Sequence, residues 1–434
     1  MRRRSLEEVY RSIPITKDLS WIRKLLAFAG PGYLVAVGYM DPGNWATDLA
    51  GGSRFGYALL SVVMVSNFMA IVLQHLSVKL GIVTGKDLSQ ASHDHYPPFL
   101  RKFLWLMAEV AITACDLAEV IGSAIALNLL FGLPIMFGVL LTAFDTLVLI
   151  YLQHKSLRYL EALVVTLILV ILVSFGIEIA LSHPSLTALA AGLIPSPELF
   201  TNKEMLYIGI GILGATVMPH NLYLHSALVQ SRDYRRNQQG KKEAIKFATI
   251  DSTLALIIAS MVNASILIVS AATFHFNGIS DVAEIQQAHE LLAPILGTSL
   301  ASTLFAMALL ASGHNSTITG TLAGQVVMEG FVDIRLKPWQ RRLITRLMAI
   351  VPAIFVVALW GTHGLASLLV LSQVILSMQL PFAIVPLVWI TSQRRFMGGF
   401  VNSGWLKVLS AIITLIIIGL NLWLIGQTIR GLVL

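Results

Sequence analysis

The chain has 434 residues, of which 56% are hydrophobic and only 12% are charged, with a formal net charge of +7. Soluble domains carry about 25% charged residues, so this composition excludes a soluble protein and predicts a polytopic membrane protein. The single cysteine, Cys115, excludes a disulfide within the chain and argues against a metal cluster held by several thiolates.

Eleven apolar runs are long enough to cross a bilayer, which takes about 20 residues of helix. They cover residues 25–50, 57–80, 104–130, 133–152, 159–181, 205–228, 248–274, 293–328, 343–360, 365–390 and 406–425. Polar or turn-rich connections separate most of these runs. We therefore predict an all-α integral membrane protein in which residues 1–434 form one transmembrane domain.

The basic residues predict how these helices are oriented. If the N-terminus is cytoplasmic, only Arg54, Lys203 and Arg430 of the 30 Lys and Arg residues fall on the opposite side. Lys and Arg concentrate in the cytoplasmic loops of membrane proteins. The pattern predicts a cytoplasmic N-terminus and an extracytoplasmic C-terminus. It also explains the positive net charge without a nucleic-acid partner.

The first run is interrupted near its middle by a carboxylate, a proline and a glycine, in the stretch Asp41-Pro42-Gly43-Asn44. A charge is costly in hydrocarbon, and proline removes a backbone donor from the helix. We interpret this stretch as a helix broken at mid-membrane, which presents Asp41 and free backbone groups to a polar substrate. The alternative is a proline kink beside a buried, neutral Asp41.

The sixth run contains a similar break, Met218-Pro219-His220-Asn221, and small residues precede both breaks. Because five runs separate them, the second broken helix crosses the membrane in the opposite direction. Paired breaks at corresponding positions are typical of inverted repeats with a substrate site between them. We predict that residues 25–181 and 205–390 form two inverted five-helix repeats, followed by an eleventh helix at 406–425. The second break favours the broken helix over the kink.

These motifs resemble those of the Nramp family, which consists of proton-coupled divalent metal transporters. The matching stretches are Asp41-Pro42-Gly43-Asn44, Gly214-Ala215-Thr216-Val217-Met218-Pro219-His220, Asp116-Leu117-Ala118-Glu119, Gly320-Thr321-Leu322-Ala323-Gly324-Gln325 and Leu371-Ser372-Gln373-Val374. The resemblance covers nearly the whole chain and implies the inverted-repeat fold of sodium-coupled amino-acid transporters.

The resemblance also implies a function. It implies import of Mn²⁺ or Fe²⁺ into the cytoplasm by proton symport with alternating access, in the cell membrane of a bacterium. Cd²⁺, Co²⁺ and Zn²⁺ are further candidate substrates. We expect no cofactor and no obligatory protein partner, so the partners are the metal ion, the proton and the lipid bilayer.

The resemblance implies five metal ligands: Asp41, Asn44, the Ala215 carbonyl, the Met218 sulfur and, during part of the cycle, Gln373. Oxygen ligands of this kind would suit Mg²⁺ or Ca²⁺ equally well. A thioether is soft and favours transition metals, although methionine more often fills gaps in a core. Met218 is therefore the residue that discriminates between these ions.

Proton coupling requires titratable groups inside the membrane. Asp116 and Glu119 lie on one face of the third predicted helix, with Glu109 two turns before Asp116 on roughly that face. The resemblance assigns the proton route to Asp41, Asp116, Glu119, His220 and Arg342. The alternatives are a packing network for the acids and a topogenic role for the arginine.

Three other classes of function are compatible with a membrane protein of this composition. An intramembrane metalloenzyme would need clustered histidines, whereas the 11 histidines here are scattered, so we predict that the chain is not an enzyme. A sodium-coupled transporter of an organic solute would not need Asp41 beside the broken helix. A Mg²⁺ transporter of the same fold would lack Met218. The last two remain as alternatives.

Overall fold

The computed structural model describes residues 4–15, 20–142, 157–280, 282, 284–332, 338–360 and 364–433. The first helices along the chain are α1 (Trp21–Phe28), α2 (Pro31–Ala36), α3 (Pro42–Phe55), α4 (Leu60–Thr84), α5 (Leu88–His95), α6 (Pro98–Phe131), α7 (135–142), α8 (Leu157–Ser182), α9 (Leu186–Gly192) and α10 (Glu198–Thr201).

The helices that follow are α11 (Lys203–Thr216), α12 (Pro219–Leu228), α13 (Gln238–Thr273), α14 (Ile285–Leu296), α15 (Ser299–Phe331), α16 (Pro338–Trp360), α17 (Leu365–Thr391), α18 (Arg394–Met397) and α19 (Gly404–Val433). One short parallel pair joins β1 (Ile13–Pro14) to β2 (Arg232–Asp233). The predicted all-α class is confirmed.

Seven helical segments of the described chain are long and apolar enough to cross a membrane. The first predicted run is not among them because it is divided into short helices, and the fourth lies partly outside the described residues. The predicted total of eleven spans therefore stays a prediction, as does the division into repeats at 25–181 and 205–390.

Two predicted runs are divided where a glycine adopts a positive φ. Gly30, at φ 134°, separates α1 from α2, so residues 25–28 belong to a different helix from the rest of the first predicted run. Gly297, at φ 72°, ends α14, and the side chain of Thr298 then caps α15. Apolar composition continues through both points, which is why the hydropathy pattern did not show these boundaries.

Both predicted helix breaks are present. A 3-10 turn, Val37–Met40, leads into an extended Asp41, and Pro42 opens α3. In the sixth predicted run, Val217 and Met218 leave the helical conformation and Pro219 opens α12. Proline suits the first helical position because its φ is already helical and no N–H is needed there. The kink interpretation is wrong, since each proline begins a new helix.

The helices that surround the breaks form one buried core. Helix α6 packs along α15 and α17, while α3 packs against α11 and α13. Helix α12 contacts α4, α15 and α17. The two breaks are therefore packed among α6, α15 and α17; α6 carries Glu109, Asp116 and Glu119, and α17 carries Gln373.

Candidate metal site

Asp41 is the N-cap of α3, and its side chain is fully buried. Its Oδ1 atom accepts a hydrogen bond of 2.8 Å from the backbone N–H of Asn44. Capping of this kind satisfies an amide that has no partner within the helix. The second oxygen, Oδ2, lies 3.3 Å from Nε2 of Gln373 and 3.8 Å from Sγ of Cys115. Oδ1 thus caps the N-terminal end of α3, and Oδ2 faces Cys115 and the predicted ligand Gln373.

Two amide oxygens at this site have no hydrogen-bond partner among the described residues: Oδ1 of Asn44 and Oε1 of Gln373. Both side chains are almost completely buried. The amide nitrogen of Asn44 donates to Tyr39 O at 2.7 Å, and that of Gln373 donates to Asp41 and Ser372. Each amide is oriented by its nitrogen, which leaves its oxygen available to a cation.

The second break supplies Ala215 and Met218, both buried. Ala215 lies in the last turn of α11, where the residue four positions later is Pro219. Proline has no N–H, so it cannot donate the helical hydrogen bond to the Ala215 carbonyl. Met218 Sδ accepts a contact of 3.7 Å from Nδ2 of Asn221. The break therefore presents the Ala215 carbonyl, which lacks its helical hydrogen-bond donor, together with the sulfur of Met218.

Helices α17 and α6 both contact residues of the two breaks. A Cβ atom added to Gly214, beside Ala215, would lie 2.3 Å from the Gln373 carbonyl oxygen, so α11 touches α17 at this level. Met218 shares a small buried cluster with Ala111, Cys115 and Leu376. The structure thus brings Asp41, Gln373 and the surroundings of Met218 into one buried region.

Asp116 and Glu119 lie together at the interface of α6 and α15. A Cβ atom at Gly320 would lie 3.0 Å from an oxygen of each carboxylate. Glu119 Oε1 accepts hydrogen bonds from Ser316 at 2.7 Å and from Cys115 Sγ at 3.5 Å. These acids are therefore adjacent to the predicted metal site, with Cys115 between Glu119 and Asp41.

The other predicted proton-route residues are more dispersed. Glu109, which is half-buried, accepts a hydrogen bond of 3.0 Å from Trp105 Nε1. His220 is fully buried at the start of α12, and neither ring nitrogen has a partner within the described part of the chain. Arg342 belongs to α16, but its side chain lies outside the described residues.

Sequence reasoning missed a group of charged side chains, most of them buried, at the N-terminal end of α2. Asp251 accepts from the N–H groups of Gly30 and Gly32, at 3.2 and 2.7 Å. Arg158 and Arg232 both donate to the Ala29 carbonyl and to Glu161. We call Arg158, Glu161, Arg232 and Asp251 the inner latch. They come from three distant segments, so no local pattern linked them.

The N-terminal segment covers the same side of the molecule. Leu6, which is buried, donates its N–H to Glu329 Oε2 at 3.0 Å. Further along, β1 pairs with β2, and the Arg11 N–H donates to Gln230 O at 3.1 Å. This segment and the inner latch both lie on the predicted cytoplasmic side of the protein.

Comparison with known proteins supports the motif analysis. A family model described as "Natural resistance-associated macrophage protein-like", the Nramp family, matches residues 32–427. The divalent metal cation transporter MntH of Nostoc sp. is 58% identical over 429 residues, which cover 99% of this chain and 97% of that protein. The MntH protein of Listeria monocytogenes serovar 1/2a is 59% identical over 428 residues, covering 99% and 96%.

Comparison with solved structures gives the same result as comparison with known sequences. A crystal structure of the Eremococcus coleocola manganese transporter superposes with a TM-score of 0.92 at 43% identity, covering 99% of this chain and 92% of that one. Mhp1, a nucleobase-cation-symport-1 family transporter, gives 0.62 at 14% identity, covering 92% and 93%, and this likeness bears on the fold alone. The resemblance based on motifs is confirmed. The relatives are named as transporters, which confirms the prediction that the chain is not an enzyme.

Proposed function

Because the chain belongs to the Nramp family, we propose that it imports divalent transition-metal ions, Mn²⁺ and Fe²⁺, into the cytoplasm by proton-coupled symport with alternating access. The names of two relatives, a divalent metal cation transporter and a manganese transporter, support the class of substrate. We place the protein in the cell membrane with a cytoplasmic N-terminus and an extracytoplasmic C-terminus, on the distribution of its basic residues.

The observation that carries the proposal is the set of unsatisfied acceptors around Asp41. A buried polar atom without a partner costs about 1–3 kcal/mol, and neither Asn44 Oδ1 nor Gln373 Oε1 has a hydrogen-bond partner in the part of the chain that the structure describes. A bound cation would satisfy them, and the Asp41 carboxylate would balance part of its charge. In our proposal, the ligands are Asp41, Asn44, the Ala215 carbonyl, Met218 and Gln373.

Met218 favours a transition metal over Mg²⁺ or Ca²⁺. Carboxylate, amide and carbonyl oxygens are hard ligands that bind alkaline-earth ions well. A thioether sulfur binds later metals better, and Met218 is fully buried beside the helix break rather than in the lipid-facing surface. The same residue argues against a sodium-coupled carrier of organic solutes, whose substrate would not require a sulfur ligand.

Proton coupling would follow from the proximity of metal and acid groups. The Asp41 carboxylate must be deprotonated to bind a metal ion, so binding releases protons. Asp116 and Glu119 lie one side chain away, on the far side of Cys115. We propose that protons pass through Asp41, Asp116, Glu119 and His220, with Glu109 and Arg342 toward the cytoplasm.

The membrane potential would also favour metal entry. Moving a divalent cation into a negative interior is favourable by about 4.6 kcal/mol per 100 mV, twice the value for one charge. Imported metal could therefore accumulate on voltage alone. The proton gradient adds to this driving force only if proton and metal movements are coupled, which makes coupling a separate quantity to measure.

Alternating access would use the two broken helices. The half-helix α2 follows Gly30, which has a positive φ, and is joined to α3 by a 3-10 turn, so the α-helix is interrupted at both of its ends. The inner latch holds its cytoplasmic end. We propose that this structure has the cytoplasmic side closed, and that release of the latch lets α2 move and opens the site inward. The repeats 25–181 and 205–390 would each contribute one broken helix.

The test is Mn²⁺ uptake by the purified protein in proteoliposomes with an inward proton gradient. We expect uptake that Fe²⁺ and Cd²⁺ inhibit strongly and that Ca²⁺ and Mg²⁺ inhibit weakly. Asp41→Asn should abolish it. Asp94→Asn is the matched control, because Asp94 is a partly exposed carboxylate that pairs with Lys86 outside the site. Equal inhibition by Mg²⁺, or a requirement for sodium, would reject the proposal.

A further inference from the structure

Cys115 is the only cysteine in the chain, and it lies at the metal site rather than in the lipid-facing surface. Its Sγ atom is 3.8 Å from Asp41 Oδ2 and 3.5 Å from Glu119 Oε1. It also belongs to the small buried cluster that contains Met218. The thiol therefore borders the Asp41 carboxylate, and the thioether of Met218 lies in the same buried cluster as that thiol.

The separation of Cys115 and Asp41 fits two ligands of one metal ion. In a tetrahedral Zn²⁺ site, with a metal–sulfur distance of about 2.3 Å and a metal–oxygen distance of about 2.1 Å, the two ligand atoms lie about 3.6 Å apart, and a larger ion would place them slightly farther apart. The observed separation is 3.8 Å. An ion between them would need only small movements of the two side chains.

A second observation points to a ligand here independently of the cysteine. Oε1 of Gln373 and Oδ1 of Asn44 are buried and have no hydrogen-bond partner among the described residues. Gln373 Nε2 lies 3.3 Å from the same Asp41 oxygen that Cys115 contacts. Cys115 therefore lies beside a set of acceptors that is incomplete without a cation.

We propose that Cys115 is a second sulfur ligand for soft divalent ions, so that Cys115 and Met218 together set a preference for Cd²⁺ over Mn²⁺. The inference rests on the proposed function and specifies the selectivity of that site. Thiolate and thioether ligands bind soft metals more strongly than hard ones. On binding, the S–H bond is replaced by an S–metal bond and the proton is released to the medium.

The competing explanation is that Cys115 fills space. A buried free cysteine usually behaves as a small apolar side chain, and its contacts with Asp41 and Glu119 would then be weak hydrogen bonds. If Cys115 only fills space, replacing it leaves the set of atoms that bind the metal ion unchanged. Counting sulfur ligands therefore separates the two explanations directly.

The first experiment is X-ray absorption spectroscopy of Cd²⁺ bound to the purified, full-length protein. We expect two sulfur atoms in the first coordination shell of the wild type, and one each in Cys115→Ser, Cys115→Ala and Met218→Leu. One sulfur in the wild type, or two in Cys115→Ser, would overturn the inference. If the serine variant does not fold, the alanine variant gives the same answer. The number of sulfur ligands in the wild type tests the inference even if neither variant folds.

The second experiment compares inhibition of Mn²⁺ uptake by Cd²⁺ in proteoliposomes. Loss of the thiolate should lower the ratio of Cd²⁺ to Mn²⁺ affinity by about tenfold, a typical effect of removing a group that supports a metal. Ala126→Ser is the control, because Ala126 is a buried residue of the same helix that packs in the main core.

Different results would contradict the proposed function and the proposed role of Cys115. If the wild type carries neither Mn²⁺ nor Cd²⁺, the proposed function is wrong. If it carries both and the affinity ratio is the same in Cys115→Ser and Ala126→Ser, only the role of Cys115 is wrong.

Discussion

Gln373 occupies the space that a side chain at Gly43 would need: a Cβ atom added there would lie 1.6 Å from Gln373 Nε2. Gly43 stands between Asp41 and Asn44 in the first turn of α3. The lack of a side chain lets the amide of α17 approach this turn and reach Asp41 Oδ2 at 3.3 Å. The glycine of the first motif thus serves the contact between α3 and α17.

Gly43→Ala should displace Gln373 from Asp41 and weaken Mn²⁺ binding by about tenfold or more, as expected when a metal ligand loses its support. Isothermal titration calorimetry on the purified protein measures the affinity. Gly176→Ala is the control, because Gly176 lies in helix α8 with open space around its Cβ position. Equal affinities for the two variants would show that the Gly43–Gln373 contact is not needed.

Met218→Leu should make the transporter less selective against hard ions. Leucine has a similar volume, so the fold should tolerate the exchange, but the soft sulfur is lost. We expect inhibition of Mn²⁺ uptake by Ca²⁺ to become about tenfold stronger relative to inhibition by Cd²⁺. Met205→Leu removes a buried sulfur in another cluster and serves as the control. Unchanged inhibition by Ca²⁺ in Met218→Leu would contradict the assignment.

Asp116→Asn should separate metal transport from proton transport. The amide cannot take up a proton, while the ligands around Asp41 remain in place. We expect Mn²⁺ uptake driven by voltage to persist and metal-stimulated proton uptake to fall below about half, consistent with a buried acid in a proton relay. A pH-sensitive dye trapped in the liposomes reports the protons. A proton-to-metal ratio equal to that of the Asp94→Asn control would count against Asp116.

Glu161→Gln should weaken the inner latch. Glu161 is buried between Arg158 and Arg232, and Arg232 is only 1% exposed. Removing one partner of a buried ion pair typically costs about 3–5 kcal/mol. We expect a lower unfolding temperature in detergent, and easier opening of the cytoplasmic side.

The matched control for the latch is Asp233→Asn. Asp233 pairs with Arg11 in the same region, but both side chains are substantially exposed. An exposed ion pair contributes about 0–1 kcal/mol, so this variant should unfold close to the wild type. If the two variants lose the same stability, the latch does not have the strength that its burial indicates.

Sequence reasoning located the two helix breaks because their causes are local. Proline cannot donate a helical hydrogen bond wherever it occurs in the chain, so Pro42 and Pro219 mark the breaks without knowledge of any other helix. The N-cap role of Asp41 was not predicted, although its cause is equally local, since it depends on an amide three residues away. Long apolar runs indicated the helical class for a similar reason.

Contacts between distant helices were not accessible in this way. Cys115 and Asp41 are separated by 74 residues, and Arg232 and Glu161 by 71. The helices that carry the site are apolar around most of their circumference, so their periodicity does not reveal which face meets which neighbour.

The sequence by itself determined a multi-helix membrane protein with two breaks, an acid at one and a methionine at the other. Only the tertiary structure decided that Cys115 lies between Asp41 and Glu119, that Gln373 fills the space over Gly43, and that the inner latch holds α2. The physical reason is that a helix break is fixed by covalent geometry within a few residues. A coordination site and a latch depend on how helices from distant parts of the chain rotate and pack.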